Sequence, residues 1–116
     1  MTNSRAKGAG GEREWAAFLR ELGWAKARRG QQFSGSPDSP DVVGGIPGTH
    51  PEVKRVQRLN IHDAMKQAIR DAGLQIPYVA HRRNRDEWLV TIRAEDLRRF
   101  AEQVATPLEE PHPSEQ

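Results

Sequence analysis

The chain of 116 residues contains no cysteine. That excludes a disulfide framework and a thiolate metal centre, so any metal must be held by oxygen or imidazole and hard, oxygen-seeking cations become the default. No apolar run approaches membrane-spanning length, and the stretch from Met1 to Gly11 is polar, with Arg5 and Lys7 and no apolar core. Neither a spanning helix nor a leader is expected, and the chain reads as a soluble, intracellular, cytoplasmic protein. No internal repeat is evident, and nothing patterned as a helix-turn-helix or zinc finger is appended. The 35% apolar content suffices for one small core. A single domain over 1–105 is expected, followed by a disordered tail at 106–116 carrying Pro107, Pro111 and Pro113.

What the chain has in abundance is arginine. The formal net charge is only +2, but the tail after Thr106 holds Glu109, Glu110 and Glu115 and no base, so removing those three acids leaves +5 for the rest. Of the 18 basic residues, fourteen are arginine and four lysine. Arginine's planar fork suits phosphate, so a nucleic acid is the favoured partner over a merely solvated basic surface.

Along the chain, Trp15, Phe18, Leu19 and Leu22 recur at helical spacing in a segment from Gly8 to Leu22 that stops at Gly23. Trp24 to Arg29 suits a short strand, and Gly30 to Pro40 is loop composition. Asp41 to Ile46 and Glu52 to Val56 read as two strands of a hairpin, with Pro47 to Pro51 as the turn. Asn60 caps a second helix, with Asp63 three residues on, and Ile61, Ala64, Met65, Ala68, Ile69 and Ala72 form its apolar face before Gly73. Ile76 to Arg82 and Glu87 to Ile92 form another strand pair around Arg83-Asn84-Arg85, and a last helix carries Leu97, Phe100, Ala101 and Val104 on one face. Trp15, Trp24 and Trp88 are expected in the core. The order α-β-β-β-α-β-β-α implies an α/β fold, α+β on a stricter definition, with a central mixed sheet of about five strands flanked by helices.

Chemistry concentrates in three residues. In a strand, Glu52 and Lys54 share one face while Val53 points to the other. With Asp41 alongside, two carboxylates, the Val53 carbonyl and waters can surround Mg²⁺, with Mn²⁺ as a plausible substitute. Such a cation acidifies a water and steadies the charge of attack on phosphorus, while Lys54 orients that water or neutralises the charge. Asp38 rivals Asp41, since Pro37-Asp38 repeats the Pro40-Asp41 dipeptide, but only Asp41 directly precedes an apolar strand.

Pro40-Asp41 followed by Glu52-Val53-Lys54 on the next strand resembles the PD-(D/E)xK nuclease superfamily. Lys7-Gly8-Ala9-Gly10-Gly11-Glu12 with Arg13-Glu14 resembles the opening of archaeal-type and phage-type Holliday junction resolvases, as does Ser34-Gly35 ahead of Pro40-Asp41. The similarity runs from about Lys7 to Ile92. It implies a restriction-endonuclease-like core in which Asp41 and Glu52 bind metal, Lys54 serves the catalytic water and Glu12, rather than Glu14, assists from the helix. Gln67 resembles a glutamine that many of these nucleases carry on the helix after the lysine strand, although its wheel position suits solvent as well.

Arg28, Arg29, Gln32, Ser34 and Arg55 are candidate phosphate contacts, and Arg82, Arg83 and Arg85 form a second basic cluster that either meets a flanking DNA strand or solubilises a hairpin edge. His50 reads as a bystander. The resemblance implies an Mg²⁺-dependent, structure-selective endodeoxyribonuclease acting on branched DNA as a homodimer. A nicking, flap or restriction-like nuclease of the same fold, and a non-catalytic DNA-binding module, are the competing expectations.

Overall fold

The computed structural model describes residues 4–30 and 40–108, with side chains from Gly10 onward. Helix α1 spans Ser4–Leu22 and is followed by β1 (Arg28–Arg29), β2 (Val42–Val43) and β3 (Thr49–Arg55). Helix α2 (Ile61–Ala72), β4 (Ile76–Arg82), β5 (Leu89–Ile92), a 3-10 turn (Ala94–Asp96) and α3 (Leu97–Ala105) complete the α/β chain. Among the described residues, no helix is long and apolar enough to cross a membrane. The element order is the one expected, with one 3-10 turn added.

The five strands form a three-stranded mixed sheet, β3-β4-β5, and an antiparallel β1-β2 ladder. β3 runs parallel to β4, with Glu52 opposite Val79 and Lys54 opposite His81. β5 runs antiparallel to β4. A parallel pair needs a crossover, and α2 supplies it. The expected β2-β3 hairpin is therefore a correction. β2 pairs with β1 instead, Arg28 opposite Val43 and Arg29 opposite Val42. Gly44, at φ 76°, leaves the extended region and ends β2 after two residues. The expected turn is shorter too, since Thr49, His50 and Pro51 belong to β3. β3 is an edge strand, where a proline is tolerated.

The core lies between α1 and the sheet. Trp15, Leu19, Tyr78, Ala80 and Phe100 are buried there, with Trp24 and Trp88 half-buried against them. The Trp15 indole N–H donates to the Tyr78 hydroxyl at 3.0 Å. Burial drives the Tyr78 proton affinity well above its ordinary range, and the Trp15 bond opposes this only in part. On the other side, α2 seats Ala64 and Ala68 against Val79. Its N-terminus is capped as expected, with Asn60 accepting from the Asp63 N–H at 3.1 Å, and Gly73 follows its last turn at φ 58°. Those small alanines let the helix lie close to the sheet.

Helix α1 also needs a missing side chain. A Cβ on Gly11 would stand 3.0 Å from the Arg55 Cβ and 3.8 Å from Val53 Cγ1. The helix thus rests almost directly on β3, and the next residue, Glu12, is carried toward the strand's edge.

The residues expected to share a face of α3 do so, but only part of that face is buried. Phe100 is its buried residue and meets Tyr78 at 5.6 Å between ring centroids, while Leu97, Ala101 and Val104 are exposed. α1 and the sheet already enclose Tyr78, and a nine-residue helix anchored by one aromatic cannot turn its whole face inward. Its start is held by Asp96, which accepts from Arg93 and Arg99, each at 2.8 Å. Burial alone would raise the Asp96 proton affinity, but the bonds from Arg99 and Arg93 outweigh it and hold the carboxyl below its ordinary range.

Gly10 and Gly11 separate propensity from packing. Gly10 has nothing within 4 Å of a built Cβ, so Gly10→Ala should stabilise by roughly 0.5–1 kcal/mol. Gly11→Leu should destabilise by about 1–3 kcal/mol by prising α1 from β3. Denaturant melts of the two variants check this opposition of sign.

Candidate active site

Asp41 reaches β3 through its side chain rather than through a strand ladder. Its Oδ2 accepts the Val53 N–H at 2.8 Å. The Asp41 backbone is fixed as well, because its carbonyl accepts the Gly30 N–H at 2.9 Å. A Cβ on Gly30 would lie 2.2 Å from the Pro40 carbonyl oxygen, so the close approach of these two segments requires glycine.

On β3, Glu52 is buried and its Oε1 lies 3.4 Å from the Lys54 Nζ. Alternation puts both side chains on one face, as expected. Val53, between them, offers its N–H to Asp41 and packs its side chain toward α1. From that helix, Glu12 Oε2 accepts from Arg29 Nε at 2.7 Å, with the Glu12 side chain only 14% exposed. Glu14 is engaged elsewhere, 2.9 Å from Arg55 Nε. Geometry therefore separates two acids that the helical wheel left close.

The electrostatics bind these residues into one set. Burial pushes the Asp41 carboxyl from 3.8 to about 7, with Glu52 adding to the rise, the Val53 N–H opposing it, Glu12 raising it further and Lys54 lowering it. Glu52 is also raised, first by burial; Lys54 opposes that by charge and hydrogen bonding, while Asp71 and Glu12 add to it. Three acids from α1, the β2 entry and β3 thus share one field, and α2 contributes Asp71. Among the described residues, no three His, Asp or Glu side chains stand together as a ready-made metal cage.

The remaining candidates divide. Gln67 is half-buried one turn before Asp71, with no hydrogen bond to the site among the described residues. Gln32, Ser34 and the rival Asp38 lie outside the described residues. Arg28 is exposed on β1, and Arg29 and Arg55 are tied to Glu12 and Glu14. Arg82 lies over the Trp88 ring at 5.5 Å, Arg83 pairs with Asp86 at 2.7 Å, and exposed Arg85 turns the chain at φ 61°. These three arginines line a cleft of about 670 Å³ with His81, Val56 and Leu59. His50 is buried in β3.

Sequence reasoning missed Asp71, His81 and Gly30. His81 lies opposite Lys54 in the parallel β3-β4 register and bonds the Thr91 hydroxyl of antiparallel β5 at 2.9 Å, pairings that the sequence pattern does not reveal. Gly30 carried a signal, standing at the border of strand and loop. Asp71 carried none, being one of several polar residues on α2.

The raised Asp41 proton affinity makes a sign-specific prediction for metal-free protein. A raised folded-state value contributes stability that is full below about 3.8 and lost as pH rises through about 7. Asp41→Asn removes that loss while keeping an acceptor for the Val53 N–H. In chelator, the variant should melt above the unsubstituted protein at pH 8, by about 4 °C or more, and the gap should narrow toward pH 5 and close only near pH 3.8. Thermal scans across pH check this; a gap independent of pH would contradict the assigned cause.

A family model described as archaeal Holliday junction resolvase matches residues 3–106. No curated protein and no solved structure matches the chain. The match takes in α1 with Glu12, both strand ladders, the crossover helix and all but the last residues of the described chain. With acids from three elements and a lysine gathered at the edge of β3, the chain belongs to the archaeal Holliday junction resolvase family of PD-(D/E)xK nucleases.

Proposed function

We propose that this chain is a divalent-cation-dependent, structure-selective endonuclease that hydrolyses phosphodiester bonds in branched DNA, four-way junctions foremost. The observation that carries the reading is the convergence of Asp41, Glu52 and Lys54 at the open edge of β3. A chain that bound DNA only by charge would gain nothing from buried carboxylates facing a polyanion.

The donor set fits a hard cation. It is all oxygen, and both carboxylates hold protons more tightly than usual, which is the electrostatic strain that a positive ion relieves. Asp41, Glu52 and the Val53 carbonyl would hold it, and Mg²⁺ asks for few protein ligands because it keeps several waters, with Mn²⁺ as a substitute. When bound, the cation supplies Lewis acidity toward the phosphate and makes a water a better nucleophile.

The side chains do the rest. Lys54 directs its ammonium beside Glu52 and orients the attacking water while offsetting charge that grows on the phosphoryl oxygens. Glu12 adds negative field from α1 and fixes Arg29, whose half-exposed guanidinium retains donors for a phosphate oxygen. Arg28, together with Arg82, Arg83 and Arg85 around their cleft, positions the duplex by its backbone, which suits recognition of shape over base sequence. Two copies would present two centres to the two strands of a symmetric junction.

The purified chain, incubated with four-way junction, flap, nicked and linear duplex DNA, should cut the junction fastest with Mg²⁺ or Mn²⁺ and stop in chelator. Lys54→Ala and Asp41→Asn should each lower the cleavage rate at least about 100-fold while junction affinity in chelator changes only a few-fold. Cutting that survives chelation, or binding without cutting under either metal, would refute the reading.

A further inference from the structure

We propose that Arg29 is a positioning residue for Glu12: in the free protein it latches the acid away from the cation, and a DNA phosphate that takes the guanidinium releases Glu12 to the ion. The inference rests on the cation-site reading and adds an order to it, in which substrate completes the site. Glu12 Oε2 accepts from Arg29 Nε at 2.7 Å. The acid's side chain is 14% exposed and the arginine's 42%, so the end of the pair that meets an incoming strand is the guanidinium.

Glu12 stands near the site without belonging to a finished cage. Its charge is felt by both Asp41 and Glu52, yet among the described residues no three acids stand together as metal ligands. Lys54 is the cation whose charge offsets the acids at Asp41 and Glu52. Arg29 serves Glu12 instead. Asp96 shows the contrasting arrangement, a buried carboxyl matched on both oxygens by two arginines. Among the described residues, Glu12 has one arginine on one oxygen, a half-exposed pair of the kind that contributes little and exchanges readily.

The exchange asks for little movement. β1 pairs Arg29 with Val42, the residue after Asp41, and the adjoining Gly30 N–H bonds the Asp41 carbonyl. α1 is held against β3 at Gly11, beside Glu12. Both backbones are thus fixed, and rotation of two side chains separates the latched from the released state. Phosphate is the partner that competes for the guanidinium. A side-on bidentate grip uses Nε with a second guanidinium nitrogen, and Nε is the donor that Glu12 occupies, so a phosphate that closes the grip displaces the acid. Because coupling between two ligands is reciprocal, an ion that claims Glu12 equally frees Arg29 for DNA.

Calorimetric titration of the full chain with Mn²⁺, without DNA, tests it. Arg29→Gln should tighten Mn²⁺ binding about threefold to fivefold, whereas losing an arginine that merely braced Glu12 would weaken it. Arg28→Gln removes the same charge from the same strand and should change the affinity less than about twofold. In a Glu12→Gln background the gain from Arg29→Gln should vanish. In chelator, Glu12→Gln should tighten binding of a four-way junction by a similar factor, and only while Arg29 is present. Circular dichroism melts within a few degrees of the parent verify that each variant keeps the fold. Weaker or unchanged Mn²⁺ binding by Arg29→Gln, a gain matched by Arg28→Gln, or one that persists without Glu12 would overturn the proposal. A parent that binds no Mn²⁺ refutes the cation site itself and the latch with it, while Mn²⁺ binding indifferent to Arg29 refutes the latch alone.

Discussion

One hydrogen bond joins the two halves of the candidate site. The Val53 N–H, on the open edge of β3, is taken by the Asp41 carboxylate. Asp41 belongs to the entry of β2, which pairs with β1 and not with β3. Without that bond, nothing in the ladders obliges the carboxylate to approach Glu52. The free edge of β3 is therefore a requirement, since a further strand there would claim the N–H that Asp41 uses. Gly30 serves the same contact from behind by admitting the Pro40–Asp41 backbone, and Gly11 serves it by letting α1 bring Glu12 close.

Electrostatic cost follows from that closeness. Buried beside one another, Asp41 and Glu52 each hold a proton more tightly than an exposed carboxyl, and Glu12 pushes both the same way. Lys54 offsets part of the repulsion. A site so arranged spends folding stability on charge density, the kind of local cost that functional centres carry and that structural ion pairs avoid. The clamp of Arg93 and Arg99 on Asp96 is the contrast. There the buried carboxyl is matched on both oxygens and its proton affinity falls.

Much of this was legible in the residues. Asn60 and Gly73 bracketed α2, β4 occupies the anticipated Ile76–Arg82, and strand alternation set Glu52 and Lys54 on a common face. Pairing was not legible. Two short apolar runs separated by Pro-Gly look like a hairpin, and only the tertiary fold gives β3 to β4 through a crossover and β2 to β1. The shared face of α3 was legible, but its exposure was not. Helical periodicity reports that a face is apolar without saying what covers it. Glu12 and Glu14 could be ranked by the wheel, yet the separation came from their partners, Arg29 for one and Arg55 for the other.

The central claim is that Asp41 and Glu52 form one cation site in which the Asp41 carboxyl holds its proton up to about pH 7. Calorimetric titration of the chain with Mn²⁺ at pH 6.5, in two buffers of different ionisation enthalpy, measures it directly. With Asp41 near pKa 7, ion binding should release a sizeable fraction of a proton, fading by pH 8.5 and absent in Asp41→Asn. Binding with no proton release at pH 6.5, or equal release from the Asp41→Asn variant, would contradict the account.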